Sequence, residues 1–185
     1  MTTPLSLKDA CRITVEQLLK ICQDRAACSA LRPLLTGLED TQIRAMRYLP
    51  RNWPVHQDLL FLIAGLIAEY PCESDHSLSF GASLQKLSNH PDIKFTGIER
   101  RLETLLQLDI ESLAPPLHSL IIQAKGTKTP IDYVTLLFHL RCWDDSRKWV
   151  QLTWARDFWC PKSFEDSQGN EDDQGPHTVS VEDAA

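Results

Sequence analysis

The chain has 185 residues, with 19 Lys and Arg against 25 Asp and Glu, a formal net charge of -6, and 43% hydrophobic residues. That length and apolar share suit one domain or two small ones with a buried core, and 7 Gly and 11 Pro exclude a collagen-like or wholly disordered chain. The longest apolar run, Leu59 to Ala68, has 10 residues, about half of the roughly 20 that a bilayer crossing needs.

In chain order, Ile13, Val15, Leu18, Leu19 and Cys22 fall on one stripe of a first helix. Asp24 opens a second that passes Leu31, Leu34 and Leu35 and closes at Gly37. Asp40 is placed to cap a short third helix carrying Ile43, Met46 and Leu49, stopped by Pro50. Residues 54 to 69 start with a proline, tolerated at a first helical position, and are apolar nearly all round, which predicts a central helix. A polar loop follows over 70–79, then a short helix over 80–87.

Ser88-Asn89-His90-Pro91 is a break, after which Ile98, Leu102, Leu105 and Leu106 form a new stripe. Residues 110 to 125 form another, through Leu113, Leu117, Leu120 and Ile121, with Gly126 as its end. Thr129-Pro130-Ile131-Asp132 reads as a helix start with a Thr cap and Pro at the first position, continued by Val134, Leu137, Phe138 and Arg141. Asp144 is expected to cap the last helix, which runs to about Trp159. No segment alternates with period two long enough to read as a strand. The expected fold is all-α, about eight helices in two small packed bundles, 5–91 and 92–160, with a disordered acidic tail over 161–185.

That tail decides how the net charge is read. It carries seven carboxylates (Glu165, Asp166, Glu171, Asp172, Asp173, Glu182 and Asp183) against Lys162, so the whole -6 belongs to it and residues 1–160 are neutral. Its polar composition cannot bury enough surface to offset its ordering entropy. An acidic total is therefore no argument against an anionic partner for the body. The tail is read chiefly as an aid to solubility.

Chemistry leaves little trace. Six cysteines and six histidines show no Cys-x-x-Cys, no His-Glu-x-x-His and no paired spacing, so free thiols in a reducing compartment are expected, with no metal and no cofactor. There is no Gly-rich phosphate loop and no Gly-x-Ser-x-Gly. Asp144-Asp145 reads as capping, and His118 and His139 as satisfied or partly exposed side chains on apolar helices. The start, Met1-Thr2-Thr3-Pro4, has no signal-peptide pattern. The expectation is a cytoplasmic protein that neither meets a membrane nor acts as an enzyme.

The last helix is the most distinctive. Trp143, Trp149, Trp154 and Trp159 fall within it or just before it, four of the chain's five Trp. Val150, Trp154 and Phe158, four apart, read as a packing face, with base stacking by exposed indoles as the alternative. Arg141, Arg147, Lys148 and Arg156 point elsewhere and are available to phosphate.

The stretch Ile98-Glu99-Arg100-Arg101-Leu102-Glu103-Thr104-Leu105-Leu106, then Leu108-Asp109, Pro130-Ile131-Asp132-Tyr133, Arg141-Cys142-Trp143-Asp144 and Trp154-Ala155-Arg156-Asp157-Phe158-Trp159 resembles the CasB family. Asp24-Arg25-Ala26-Ala27 with Leu31-Arg32, and Phe80-Gly81-Ala82-Ser83-Leu84, extend the likeness to residues 24–159. CasB proteins are the small subunit of the type I-E CRISPR surveillance complex, Cascade.

The resemblance implies a non-catalytic helical subunit, present in two copies beside the other Cascade subunits and crRNA. It implies that the subunit contacts the displaced single-stranded DNA and the target strand through basic residues. It carries Arg32, Arg100, Arg101, Arg141 and Arg156 over as candidate nucleic-acid-binding residues, with Lys86 in the corresponding short helix. Charge position alone adds Arg47, Arg51, Lys125, Lys128, Arg147 and Lys148. Leu117-His118-Ser119-Leu120 departs from the family, which tends to carry arginines there, so fewer phosphate contacts are expected. The rival readings are a helical protein–protein adaptor without nucleic-acid binding, and an enzyme using a cysteine beside a histidine in a cleft.

Overall fold

The computed structural model describes residues 6–49, 53–72 and 78–161. The acidic tail beyond Pro161, Arg51, the Pro50 stop and the middle of the 70–79 loop lie outside the described residues. Among those described are nine α-helices and no strand: α1 (Leu7–Ile21), α2 (Arg25–Leu31), α3 (Glu39–Met46), α4 (Gln57–Glu69), α5 (Phe80–Ser88), α6 (Phe95–Leu106), α7 (Ala114–Thr127), α8 (Tyr133–Arg141) and α9 (Trp149–Trp159). Tight 310 turns over Arg32–Thr36 and Ile110–Ser112 extend α2 and precede α7. The all-α expectation holds, with one helix more than expected.

α4 is the hub. Its Leu60, Phe61, Ile63, Ala64, Leu66, Ile67 and Ala68 are buried, and it packs against α1, α2, α7, α8 and the 310 turn after α2. The stripes read from the sequence supply its neighbours: Val15 and Leu18 from α1, Leu117, Leu120 and Ile121 from α7, Leu136 and Leu137 from α8. α5 crosses α9 so closely that a Cβ on Gly81 would lie 2.1 Å from the carbonyl oxygen of Trp154. Ser79 strengthens this joint. As N-cap of α5 it accepts from the Ala82 N–H, and its hydroxyl donates to Asp157 Oδ2 of α9 at 2.5 Å.

Several helix ends differ from expectation, and at α7, α8 and α9 a neighbouring group supplies the local hydrogen bond that sets them. α3 starts one residue before Asp40, with no side-chain cap, and its Ile43 and Met46 are exposed at 71% and 52% instead of packed. α4 starts at Gln57, after Pro54. α7 runs through Gly126 and closes at Lys128, which takes a left-handed conformation (φ 55) while the Thr129 N–H reaches back to the Ala124 carbonyl. Pro130 disfavours helical geometry at Thr129. Asp132 caps α8 instead, accepting from the Val134 and Thr135 N–H groups at 3.0 and 3.1 Å.

Ahead of α9, the expected Asp144 cap is absent. Asp145 closes a turn by accepting from the Arg147 N–H, and Lys148 enters the helix in a left-handed conformation (φ 52). Gly37 (φ 70) ends the turn after α2 where it was expected.

His139 of α8 is buried among Trp149, Trp154 and Phe138. Its Nδ1 accepts from Trp154 Nε1–H at 2.9 Å, so the neutral ring is the one that fits. Burial lowers its pKa from 6.5 to about 4. Asp157 and Asp132 oppose the shift and Lys8 adds to it. Below pH 6.5 the unfolded chain binds a proton that the folded one refuses, so this contribution is present at neutral pH and lost as pH falls toward 4. The loss at pH 5 should be about 2 kcal/mol. His139→Asn keeps an acceptor for Trp154 and does not titrate, so its melting temperature should fall less between pH 7 and pH 5 than that of the parent, by about 4–8 °C.

Candidate nucleic-acid interface

Three predicted arginines are held by neutral acceptors. Arg32, in the 310 turn after α2, donates through Nε to the Ala68 carbonyl at the end of α4 (2.9 Å). Arg141, the last residue of α8, donates through Nη1 to the Pro54 carbonyl just before α4 (3.2 Å). Arg101 of α6 donates through Nη1 to the Ser119 hydroxyl of α7 (3.4 Å). Each acceptor orients a guanidinium without cancelling its charge, and each guanidinium keeps further N–H donors for a phosphate.

These tethers gather some of the cations and separate others. Lys125 of α7 pairs with Glu69 Oε1 at 2.7 Å, and His118 Nε2 lies 3.8 Å from the other oxygen of the same carboxylate. Arg32 on Ala68, Lys125 and His118 on Glu69, and Arg101 on Ser119 therefore form one band across the C-terminal end of α4 and the adjoining α7 and α6. Lys128 ends α7, one turn beyond Lys125. Arg141 sits at the opposite end of α4, about 20 Å away for a 13-residue helix.

The remaining candidates divide by partner. Arg147 is engaged by Asp145 through two bonds, Nε to Oδ1 at 3.0 Å and Nη2 to Oδ2 at 2.8 Å. The same contacts hold the Asp145 carboxyl down at about 2. Arg156 lies 3.8 Å from Asp157, whose other oxygen is taken by Ser79. Arg47 lies over the Tyr48 ring, 5.6 Å from its centroid. Lys86, Arg100, Lys128 and Lys148 are exposed and enter no ion pair among the described residues. The sequence reading missed Glu69, the carboxylate that Lys125 and His118 share, and it missed the carbonyls that orient Arg32 and Arg141. Nothing in the residue pattern marks a backbone acceptor.

Lys128 and Lys148 are the non-glycine residues with positive φ among those described. A left-handed conformation costs a side chain roughly 1 kcal/mol or more relative to glycine. Lys128→Gly and Lys148→Gly should each raise the melting temperature by about 2–4 °C, measured by calorimetry, while removing one surface cation.

Among the described residues the cysteines do not assemble a nucleophile. Burial raises the thiol pKa of Cys11, Cys72 and Cys142, and Cys22, half-buried beside Cys28, is pushed up to about 12. Among the described residues, Cys28 and Cys72 donate to the Ala68 and Ile131 carbonyls, and no thiol bonds a histidine. No three His, Cys, Asp or Glu converge as metal ligands there, and no helix is long and apolar enough to cross a membrane. Trp143 and Trp154 are buried and bonded inward, to Leu108 O and His139, as packing groups.

Fold and surface together define a small all-α protein that presents oriented cations. The family model described as CRISPR-associated protein Cse2 (CRISPR_cse2) matches residues 19–159, and the chain belongs to that family. This bears out the resemblance to CasB. A comparison with curated proteins finds no match.

Among solved structures, a chain of a CRISPR RNA-guided surveillance complex matches with a TM-score of 0.67 at 20% identity, over 83% of this chain and 92% of that one. CasB from Thermus thermophilus matches with a TM-score of 0.64 at 22% identity, over 80% and 97%. CasB from M. ruber matches with 0.61 at 23% identity, over 84% and 93%. At these identities the likeness is one of fold.

Proposed function

We propose that this chain is the non-catalytic small subunit of a type I-E, crRNA-guided surveillance complex. In this reading it stabilises the R-loop by holding the displaced DNA strand and touching the target strand. Its partners are the other Cascade subunits with their crRNA, and a second copy of itself, in the cytoplasm. The observation that carries the reading is the tethering of Arg32, Arg101 and Arg141 by neutral acceptors, which supplies fixed positive charge outside the helices. Exchanging a DNA duplex for an RNA–DNA heteroduplex is nearly balanced in free energy, so modest contacts to the displaced backbone tip it. Phosphate contacts suit the task because they ignore base identity, which changes with every target.

The test is to assemble the complex with and without this subunit and measure R-loop lifetime on a matched target. Lifetime should fall on omission; an unchanged lifetime refutes strand holding.

A protein-contact role is favoured by a separate observation, the exposed Ile43 and Met46 of α3 with the exposed Leu38 just before it. Such exposure suits a neighbouring subunit. If Ile43→Ser blocks assembly while leaving DNA binding by the free chain intact, α3 serves the adaptor function within the same complex.

A further inference from the structure

α9 carries an uncovered stripe of its own. Leu152, Arg156 and Trp159 succeed one another at spacings of four and three, which puts them on one face of the helix. Leu152 is 65% exposed and Trp159 40%. Phe95, the first residue of α6, is 44% exposed and stacks on the buried Phe158 ring with centroids 5.4 Å apart. Trp159 meets Phe158 edge-on at 5.5 Å. Two exposed aromatic rings thus flank a buried one. The Trp159 indole is also held in place, since its Nε1–H donates to Glu99 Oε1 at 3.0 Å.

Cations border these rings. Lys94 immediately precedes Phe95, and Arg156 lies one turn before Trp159. Lys94 enters no ion pair among the described residues, and the nearest carboxylate to Arg156 stands 3.8 Å away and is shared with Ser79. We infer that Phe95 and Trp159 form a stacking platform for unpaired bases of a nucleic-acid strand, with Lys94 and Arg156 on its phosphates. The inference rests on the strand-holding reading and assigns it a second point of contact. Stacked aromatic faces accept every base, because each base has a π-face, so the platform imposes no sequence preference. Lys94 and Arg156 beside the rings favour a polyanion over an apolar protein surface, which would have to desolvate them.

The test compares binding of the full-length chain to oligothymidylate and to an abasic oligonucleotide of equal length, by fluorescence anisotropy over a salt series. The parent should bind oligothymidylate about tenfold more tightly than the abasic strand. Trp159→Ala should abolish that difference without changing the salt slope, and Trp159→Phe should keep most of it. Equal affinity for the two strands, or no binding to either, overturns the inference. So does Trp159→Ala binding like the parent. A Trp159→Ala chain that binds oligothymidylate normally but no longer assembles with the other subunits would make the patch a protein interface, and also overturns it. Strand holding itself fails only if R-loop lifetime is indifferent to the subunit, so the two failures are separate.

Discussion

Replacing Gly81 by alanine should lower the melting temperature by about 10 °C, and by valine more. The added Cβ would sit 2.1 Å from the Trp154 carbonyl oxygen and 2.7 Å from its Cα, and both are backbone atoms in the middle of α9. No rotamer change relieves a clash with backbone, so α5 and α9 must separate. Overpacking of this kind costs typically 1–3 kcal/mol, and the upper end applies because neither contact lies in a flexible side chain. For a folded part of this size, 3 kcal/mol corresponds to roughly 6–12 °C. Separation would also stretch the Ser79–Asp157 bond that pins the two helices.

Gly126 provides the control. It lies within α7 and nothing stands within 4 Å of a Cβ placed there, so Gly126→Ala should be neutral or stabilising by about 0.5–1 kcal/mol. Melting curves of the two variants decide the point. A Gly81→Ala chain as stable as Gly126→Ala would contradict the close crossing.

The same crossing shows where sequence reading stops. The apolar stripes of α1, α6, α7 and α9 were legible because burial on one side of a helix leaves a 3.6-residue period in the sequence. Val150, Trp154 and Phe158 are buried as their spacing required. Gly81 gave no such signal, because a missing side chain marks a close approach only once the partner backbone is known. Helix ends were less legible for a related reason. Asp40, Thr129 and Asp144 all have capping chemistry, yet Asp132 and the Asp145 turn prevailed through local bonds that several residues could have offered.

The candidate site was legible in residue type and not in state. Arg32, Arg101, Arg141, Lys125 and Arg147 look alike as letters. Among the described residues the first three have no carboxylate partner, and the last two pair with Glu69 and Asp145. Trp159 stays on the surface, whereas Trp143 and Trp154, equally aromatic and nearby in the chain, are core.

That difference in state predicts opposite effects from neutral substitutions. Replacing Arg32, Arg101 and Arg141 together by glutamine should flatten the dependence of log K on log salt by about 2, at roughly 0.7 for each phosphate contact to a single strand. Extrapolated to 0.1 M salt, the same term weakens binding by about a hundredfold. Folding should be little affected, because glutamine can still donate to the neutral acceptors and no carboxylate is left unpaired. Glu69→Gln should act in reverse. It keeps an oxygen acceptor for Lys125, 2.7 Å away in the parent, while releasing its charge. One additional contact would strengthen binding about fivefold at 0.1 M and steepen the slope by about 0.7. Titrations of the full chain with a single-stranded oligonucleotide over a range of salt measure both slopes. If the triple variant and Glu69→Gln shift the slope in the same direction, or not at all, the phosphate track does not run past these residues and the displaced strand must be sought on another face.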